Sequence, residues 1–128
     1  MRQRVSQARG NEAQVQRAVI DYLEATVQPR PFIFAIPNAA KREKGKRAGN
    51  AVPGLRKGMP DVGMLYEKRI YFLEAKADRS NARISNTQRD VILELGERGF
   101  HCCVFKSIDD VRAALKSWGV ATRESKHV

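Results

Sequence analysis

The sequence predicts an α/β domain, a mixed β-sheet flanked by helices in the order α-β-β-β-α-β-α. Three observations predict it. Apolar residues recur at helical spacing in three separate segments. Four short apolar runs, bounded by Pro, Gly or charged turn residues, read as strands. The last two runs are joined through a helix, and a strand–helix–strand unit suggests a mixed sheet with helices on both faces.

The elements follow in order. Residues 1–9 form a basic arm with Arg2, Arg4 and Arg9. Asn11 is a candidate N-cap, and Gln14 completes a capping-box pattern. Val15, Ala18, Val19, Tyr22, Leu23 and Val27 give the apolar stripe of a first helix over about 11–27. Pro29 and Pro31 stop it. "FIFAI" at 32–36 reads as a strand. Two more strands are expected at about 61–66 and 70–76, meeting at Glu67-Lys68-Arg69. Ser85 and Gln88 form a second capping-box pattern, and Val91, Ile92 and Leu95 the stripe of a second helix, stopped by Gly99. "FHCCVF" at 100–105 is the fourth strand. Ser107 and Asp110 open a third helix carrying Val111, Ala114, Leu115 and Trp118. One domain over 10–119 follows, with 120–128 a polar tail, of which "ATRESKHV" at 121–128 is expected to fray.

Composition narrows the partners. The 128 residues hold 24 Lys and Arg against 14 Asp and Glu, a formal net charge of +10. That imbalance points to a polyanion, and nucleic acid is the expected class. Much of it is local: Lys41, Arg42, Lys44, Lys46, Arg47, Arg56 and Lys57 face one acid, Glu43, in a glycine-containing stretch that reads as a long loop. Long loops inside compact domains are commonly functional. Asn38 and Lys41 are further candidates for phosphate contact. Cys102 and Cys103 are the only cysteines, and adjacent strand residues point to opposite faces, so two unpaired thiols are expected. No Cys/His ligand set suggests zinc, and His101 is read as structural. The first residues lack the apolar core of a signal peptide, and no apolar run approaches the ~20 residues of a membrane span. The expectation is a cytoplasmic protein with no membrane partner.

The chemistry concentrates in "GMPDVGMLYEKRIYFLEAKADR", residues 58–79. Glu74 and Lys76 are two apart on a strand and share a face with Ile70 and Phe72. Charges that extend an apolar face are costly there unless they are paired or bind something. Asp61 opens the partner strand. A turn at Lys68-Arg69 sets Asp61 opposite Lys76; a turn one residue earlier sets it opposite Glu74. Either register groups the three, whereas a three-residue turn separates them unless a bulge intervenes. Two carboxylates beside a lysine suit a hard divalent cation such as Mg²⁺, with Mn²⁺ able to substitute. The same spacing fits an ordinary Glu–Lys ion pair with Asp61 as a turn acid. Glu12 lies seven residues before Val19, about 20° away on the helical wheel, so it can look toward the sheet.

"PD" at 60–61 followed by "EAK" at 74–76 matches the PD-(D/E)xK nuclease pattern. "NEAQVQRAVIDYL" with Glu12, "IPN" at 36–38, "GMPD" at 58–61, "SNTQ" at 85–88 and "ERGF" at 97–100 extend the match, in order, over about residues 10–105. On these segments the chain resembles the virus-type replication-repair nuclease (VRR-NUC) family. The resemblance implies a restriction-endonuclease-like fold and metal-dependent hydrolysis of DNA phosphodiesters, often on branched or junction DNA. It implies Asp61, Glu74, the Ala75 carbonyl and Glu12 around the metal, Lys76 as catalytic lysine, and Gln88 in the site. It also implies a homodimer, which a single site acting on two-fold-related strands would need in order to make paired nicks.

A competing reading is a nucleic-acid-binding module that keeps the fold without catalysis. A base-stacking RNA-binding protein ranks below both, because Phe32, Phe34, Phe72 and Phe105 sit in apolar strand patterns and are expected inside. Val111, Leu115 and Trp118 are expected in the core rather than at an interface.

Overall fold

The computed structural model describes residues 10–37 and 52–124. The arm at 1–9, the tail beyond 124, and Asn38, Lys41, Arg42, Lys44, Lys46 and Arg47 lie outside the described residues. The elements appear in the expected order: α1 (Glu12–Thr26), β1 (Phe32–Ala35), β2 (Val62–Tyr66), β3 (Arg69–Ala75), α2 (Asn86–Glu97), β4 (His101–Phe105) and α3 (Ile108–Trp118). Asn11 and Ser85 cap α1 and α2 through full capping boxes with Gln14 and Gln88. Ser107 caps α3, and Gly119 ends it in a left-handed conformation at φ 76°.

The sheet order is β1-β2-β3-β4, antiparallel except for the parallel β3–β4 pair. Tyr66 pairs with Arg69 and Val62 with Leu73. The β2–β3 hairpin therefore turns on Glu67-Lys68, both at positive φ (49° and 66°), as a two-residue primed turn requires. Of the two registers that the sequence left open, this one sets Asp61 beside Glu74. Ile36 N–H donates to Asp61 O at 2.7 Å, which carries the β1–β2 pairing one step past the strands.

One sheet face builds the core. Val15, Val19 and Leu23 of α1 and Val111 and Leu115 of α3 pack on Met64, Tyr71, Leu73, Ala75 and Phe105. The stripes read from helical spacing thus meet the alternate residues of β2 and β3. Val111 and Leu115 are buried in that core. The opposite face carries Ile70, Phe72 and Glu74, and α2 reaches it where Gln88 meets Glu74. The two cysteines are free. No helix among the described residues is long and apolar enough to cross a membrane.

Two expectations need correction. Residues 121–124 do not fray: Val120 is buried in the core, Thr122 bridges to Val27, and Glu124 holds both Tyr22 and Arg112. Polar composition hid this, because one buried valine and backbone pairing to the end of α1 suffice to anchor the segment. The second concerns Phe32. It pairs with Leu65 on the edge strand but is 65% exposed, since no helix among the described residues covers that end of the second face.

Candidate active site

The second face carries its charges at one end, as successive rows of the sheet. Phe34, Gly63, Phe72 and Cys102 form one row by register. A Cβ on Gly63 would stand 2.3 Å from the tip of the Phe34 ring, so a larger residue there would make that ring move. The next row is Asp61, Glu74 and Val104, and Lys76 lies beyond it. Asp61 Oδ2 accepts the Ala75 N–H at 2.9 Å, which fixes this carboxylate against the end of β3.

Glu74 is 1% exposed. Gln88 Nε2 donates to its Oε2 at 2.6 Å, and Lys76 Nζ lies 3.5 Å from the same oxygen. Its Oε1 is buried without a hydrogen-bond partner. Burial, and then the nearby charge of Asp61, push the Glu74 carboxyl up to about 7, against the opposing pull of Lys76. Lys76, also buried, donates to Gln88 Oε1 at 3.1 Å and lies 3.9 Å from Glu12 Oε2. Glu12 sits in the first turn of α1, so that helix delivers a carboxylate to the lysine from the core side.

Gln88 is central because its capping-box role and its site role coincide. Its Oε1 accepts from Ser85 N–H at 2.8 Å while also meeting Lys76, so the start of α2 is locked to the end of β3. Gly58, three residues before Asp61, stands against the first turn of α2. It stands at φ 85°, and a Cβ there would come 2.8 Å from Thr87 O. That contact was not legible in the sequence. Beside Asp61, a depression of about 460 Å³ is lined by Glu12, Gln16, Ile20 and Arg17. The spacing of Glu12, Gln16 and Ile20, four apart on a helix, was the available signal for it.

The structure thus brings together Asp61, Glu74, Ala75, Lys76, Gln88 and Glu12. Arg56 and Lys57 are exposed on the segment leading to Gly58, and Arg56 lies 3.5 Å from Glu94 of α2. Among the described residues, no three His, Cys, Asp or Glu side chains gather as a metal-binding group. The donor set is smaller: two neighbouring carboxylates, one with a buried unpartnered oxygen. That set fits Mg²⁺, which typically takes one or two protein carboxylates and keeps several waters.

No protein-family model matches the sequence, and no curated protein matches it. A solved structure described as a VRR_NUC domain protein superposes with a TM-score of 0.59 at 22% identity, over 83% of this chain and 85% of that one. The chain has the VRR_NUC fold. This is the fold that the sequence resemblance implied, and the four-stranded mixed sheet flanked by helices agrees with a restriction-endonuclease-like arrangement. In this chain's version of the VRR_NUC fold, the acid–lysine cluster occupies the sheet end where β3 leaves toward α2.

Proposed function

We propose that this protein is a member of the VRR-NUC family and a divalent-metal-dependent DNA endonuclease. The observation that carries the reading is Glu74, a buried carboxylate with one oxygen unpartnered, set beside Asp61 and a buried lysine. Burying an acid this way is costly unless something compensates it, and a cation at Oε1 would do so.

Asp61, Glu74 and the Ala75 carbonyl would hold Mg²⁺ or Mn²⁺, with Glu12 as a more distant carboxylate. Such an ion supplies charge stabilisation at a phosphate and lowers the pKa of a bound water. The chain's own groups do the rest. Gln88 fixes Glu74 Oε2 and Lys76 Nζ at set positions, so neither side chain needs to reorganise. The Lys76 ammonium can donate to a non-bridging phosphate oxygen or hold an attacking water. Burial strengthens that interaction by excluding solvent.

The basic stretch from Lys41 to Lys57 supplies phosphate contacts, with Asn38 beside it, and the net charge of +10 favours DNA as the partner. Branched or junction DNA is the substrate class implied by the family. Each chain carries one Asp61, Glu74 and Lys76 set, so paired nicks call for a homodimer.

Plasmid nicking in Mg²⁺, Mn²⁺ or EDTA tests the activity. Nicking is expected with either metal and absent in EDTA, and Asp61→Asn, Glu74→Gln or Lys76→Ala should each lower it at least about a hundredfold with the fold intact. A folded wild-type protein that binds DNA but never cuts it would establish the non-catalytic module instead.

A further inference from the structure

The end of the second sheet face away from Glu74 is lined with apolar side chains that nothing in the catalytic reading uses. Phe32, Leu65 and Ile70 form one row across β1–β3 by register, and Phe100, the residue before β4, extends it. Phe32 is 65% exposed, Leu65 44% and Phe100 41%. They line a groove of about 790 Å³. Phe34, 6.3 Å from Phe32 between ring centroids, continues the aromatic run toward Asp61, while Phe72, 6.3 Å from Phe100, is buried.

The groove's rim is cationic. Arg30, Lys68 and Arg69 line it and are exposed, against one acid, Glu67. Like charges on this rim oppose packing against a second copy of the same face. Aromatic rings interleaved with cations are the surface that unpaired nucleotides recognise, bases stacking on rings and phosphates meeting Arg and Lys. The groove lies on the same sheet face as the acid–lysine cluster: Ile70 and Glu74 share one face of β3, about 13 Å apart along the strand.

We propose that this face binds a single-stranded DNA segment through stacking on Phe32 and Phe100, with Arg30 and Lys68 on its phosphates. Its placement next to the cut rests on the nuclease reading above; its binding chemistry does not. The substrate would then carry unpaired nucleotides adjoining the scissile phosphate.

Fluorescence anisotropy in EDTA, with the full chain, tests the proposal without any cleavage. The probes are a labelled 15-nucleotide oligo-dT and a blunt 15-base-pair duplex. Phe32→Ala and Phe100→Ala should each weaken oligo-dT binding by between about fivefold and a hundredfold, as loss of one stacked base does. Duplex affinity should stay within about twofold, since phosphate contacts dominate there. Phe32→Trp should retain binding, and oligo-dT should quench the added indole emission. Unchanged oligo-dT affinity in the folded Phe32→Ala/Phe100→Ala double variant would overturn the proposal. A wild-type dimer in sedimentation that this double variant dissociates, again with unchanged oligo-dT affinity, would assign the face to a second copy instead. If plasmid nicking fails while these losses appear, the nuclease reading falls and the binding surface stands.

Discussion

Gln88 holds Glu74 through a 2.6 Å hydrogen bond from Nε2 to Oε2, and its other amide atom accepts from Lys76 and Ser85. One side chain thereby caps α2 and aligns the acid with the lysine. Gln88→Glu separates the roles, because a carboxylate still accepts from Ser85 N–H as a capping-box residue does. It no longer donates to Glu74 and instead repels it. We expect cleavage to fall more than about tenfold while helix content is retained, on the scale of a lost charge-assisted hydrogen bond. Normal cleavage by Gln88→Glu would reduce Gln88 to a cap.

Glu74 predicts a pH dependence of stability in EDTA. Its carboxyl titrates near 7 in the fold, raised by burial and then by Asp61, against an ordinary value of 4.5. Between those values the folded state keeps a proton that the unfolded state has lost, so this group's contribution falls as pH rises from about 4.5 to 7 and is flat above. Glu74→Gln removes the effect. Relative to wild type, the variant should gain on the order of 3 kcal/mol between pH 4 and pH 8, an upper figure set by the size of the shift. Urea melts at both pH values measure it. A wild-type-minus-variant difference that does not change with pH would show that Glu74 titrates normally.

Gly58 and Gly54 offer a matched pair. Both have positive φ, 85° and 87°, but a Cβ on Gly54 meets nothing within 4 Å, whereas one on Gly58 meets Thr87 O. Gly54→Ala should cost about 1 kcal/mol from backbone strain alone. Gly58→Ala must also push the segment before Asp61 away from α2, so it should cost more and depress cleavage. Equal melting temperatures for the two variants would mean that the Gly58 contact is soft.

The basic stretch is tested by salt. Each phosphate neutralised contributes about −0.9 to the slope of log K against log salt on duplex DNA. Lys44→Ala, Lys46→Ala and Arg47→Ala combined should flatten that slope by up to about 2.7 without altering metal affinity. An identical slope would remove these residues from the DNA contact.

The β2–β3 turn is strained by its residues rather than by its shape. Glu67 and Lys68 both sit at positive φ, where non-glycine residues cost roughly 1–2 kcal/mol. Glu67→Asn with Lys68→Gly should raise stability by about 1 kcal/mol in urea melts, because it supplies the sequence that this turn prefers. A loss of stability would mean that these side chains stabilise the turn in some other way.

That turn marks the limit of what the sequence determined. Hydrophobic periodicity specified the order of all seven elements, since helices and strands bury side chains at periods of 3.6 and 2. The same period placed Glu74 and Lys76 on the face opposite Leu73 and Ala75. Local hydrogen bonding specified the caps at Asn11, Ser85 and Ser107. The register between Asp61 and Glu74 stayed open because Glu67-Lys68 carries no Asn-Gly signal and a two-residue shift leaves every side chain on the same face; the fold takes the register that pairs Val62 with Leu73 and Met64 with Tyr71. Tertiary structure alone decided that Gln88 bridges Glu74 and Lys76, that Val120 closes the core, and that Phe32 stands open at the sheet edge. Each of these depends on what lies across space from the residue, and burial is a property of neighbours that the chain acquires only on folding.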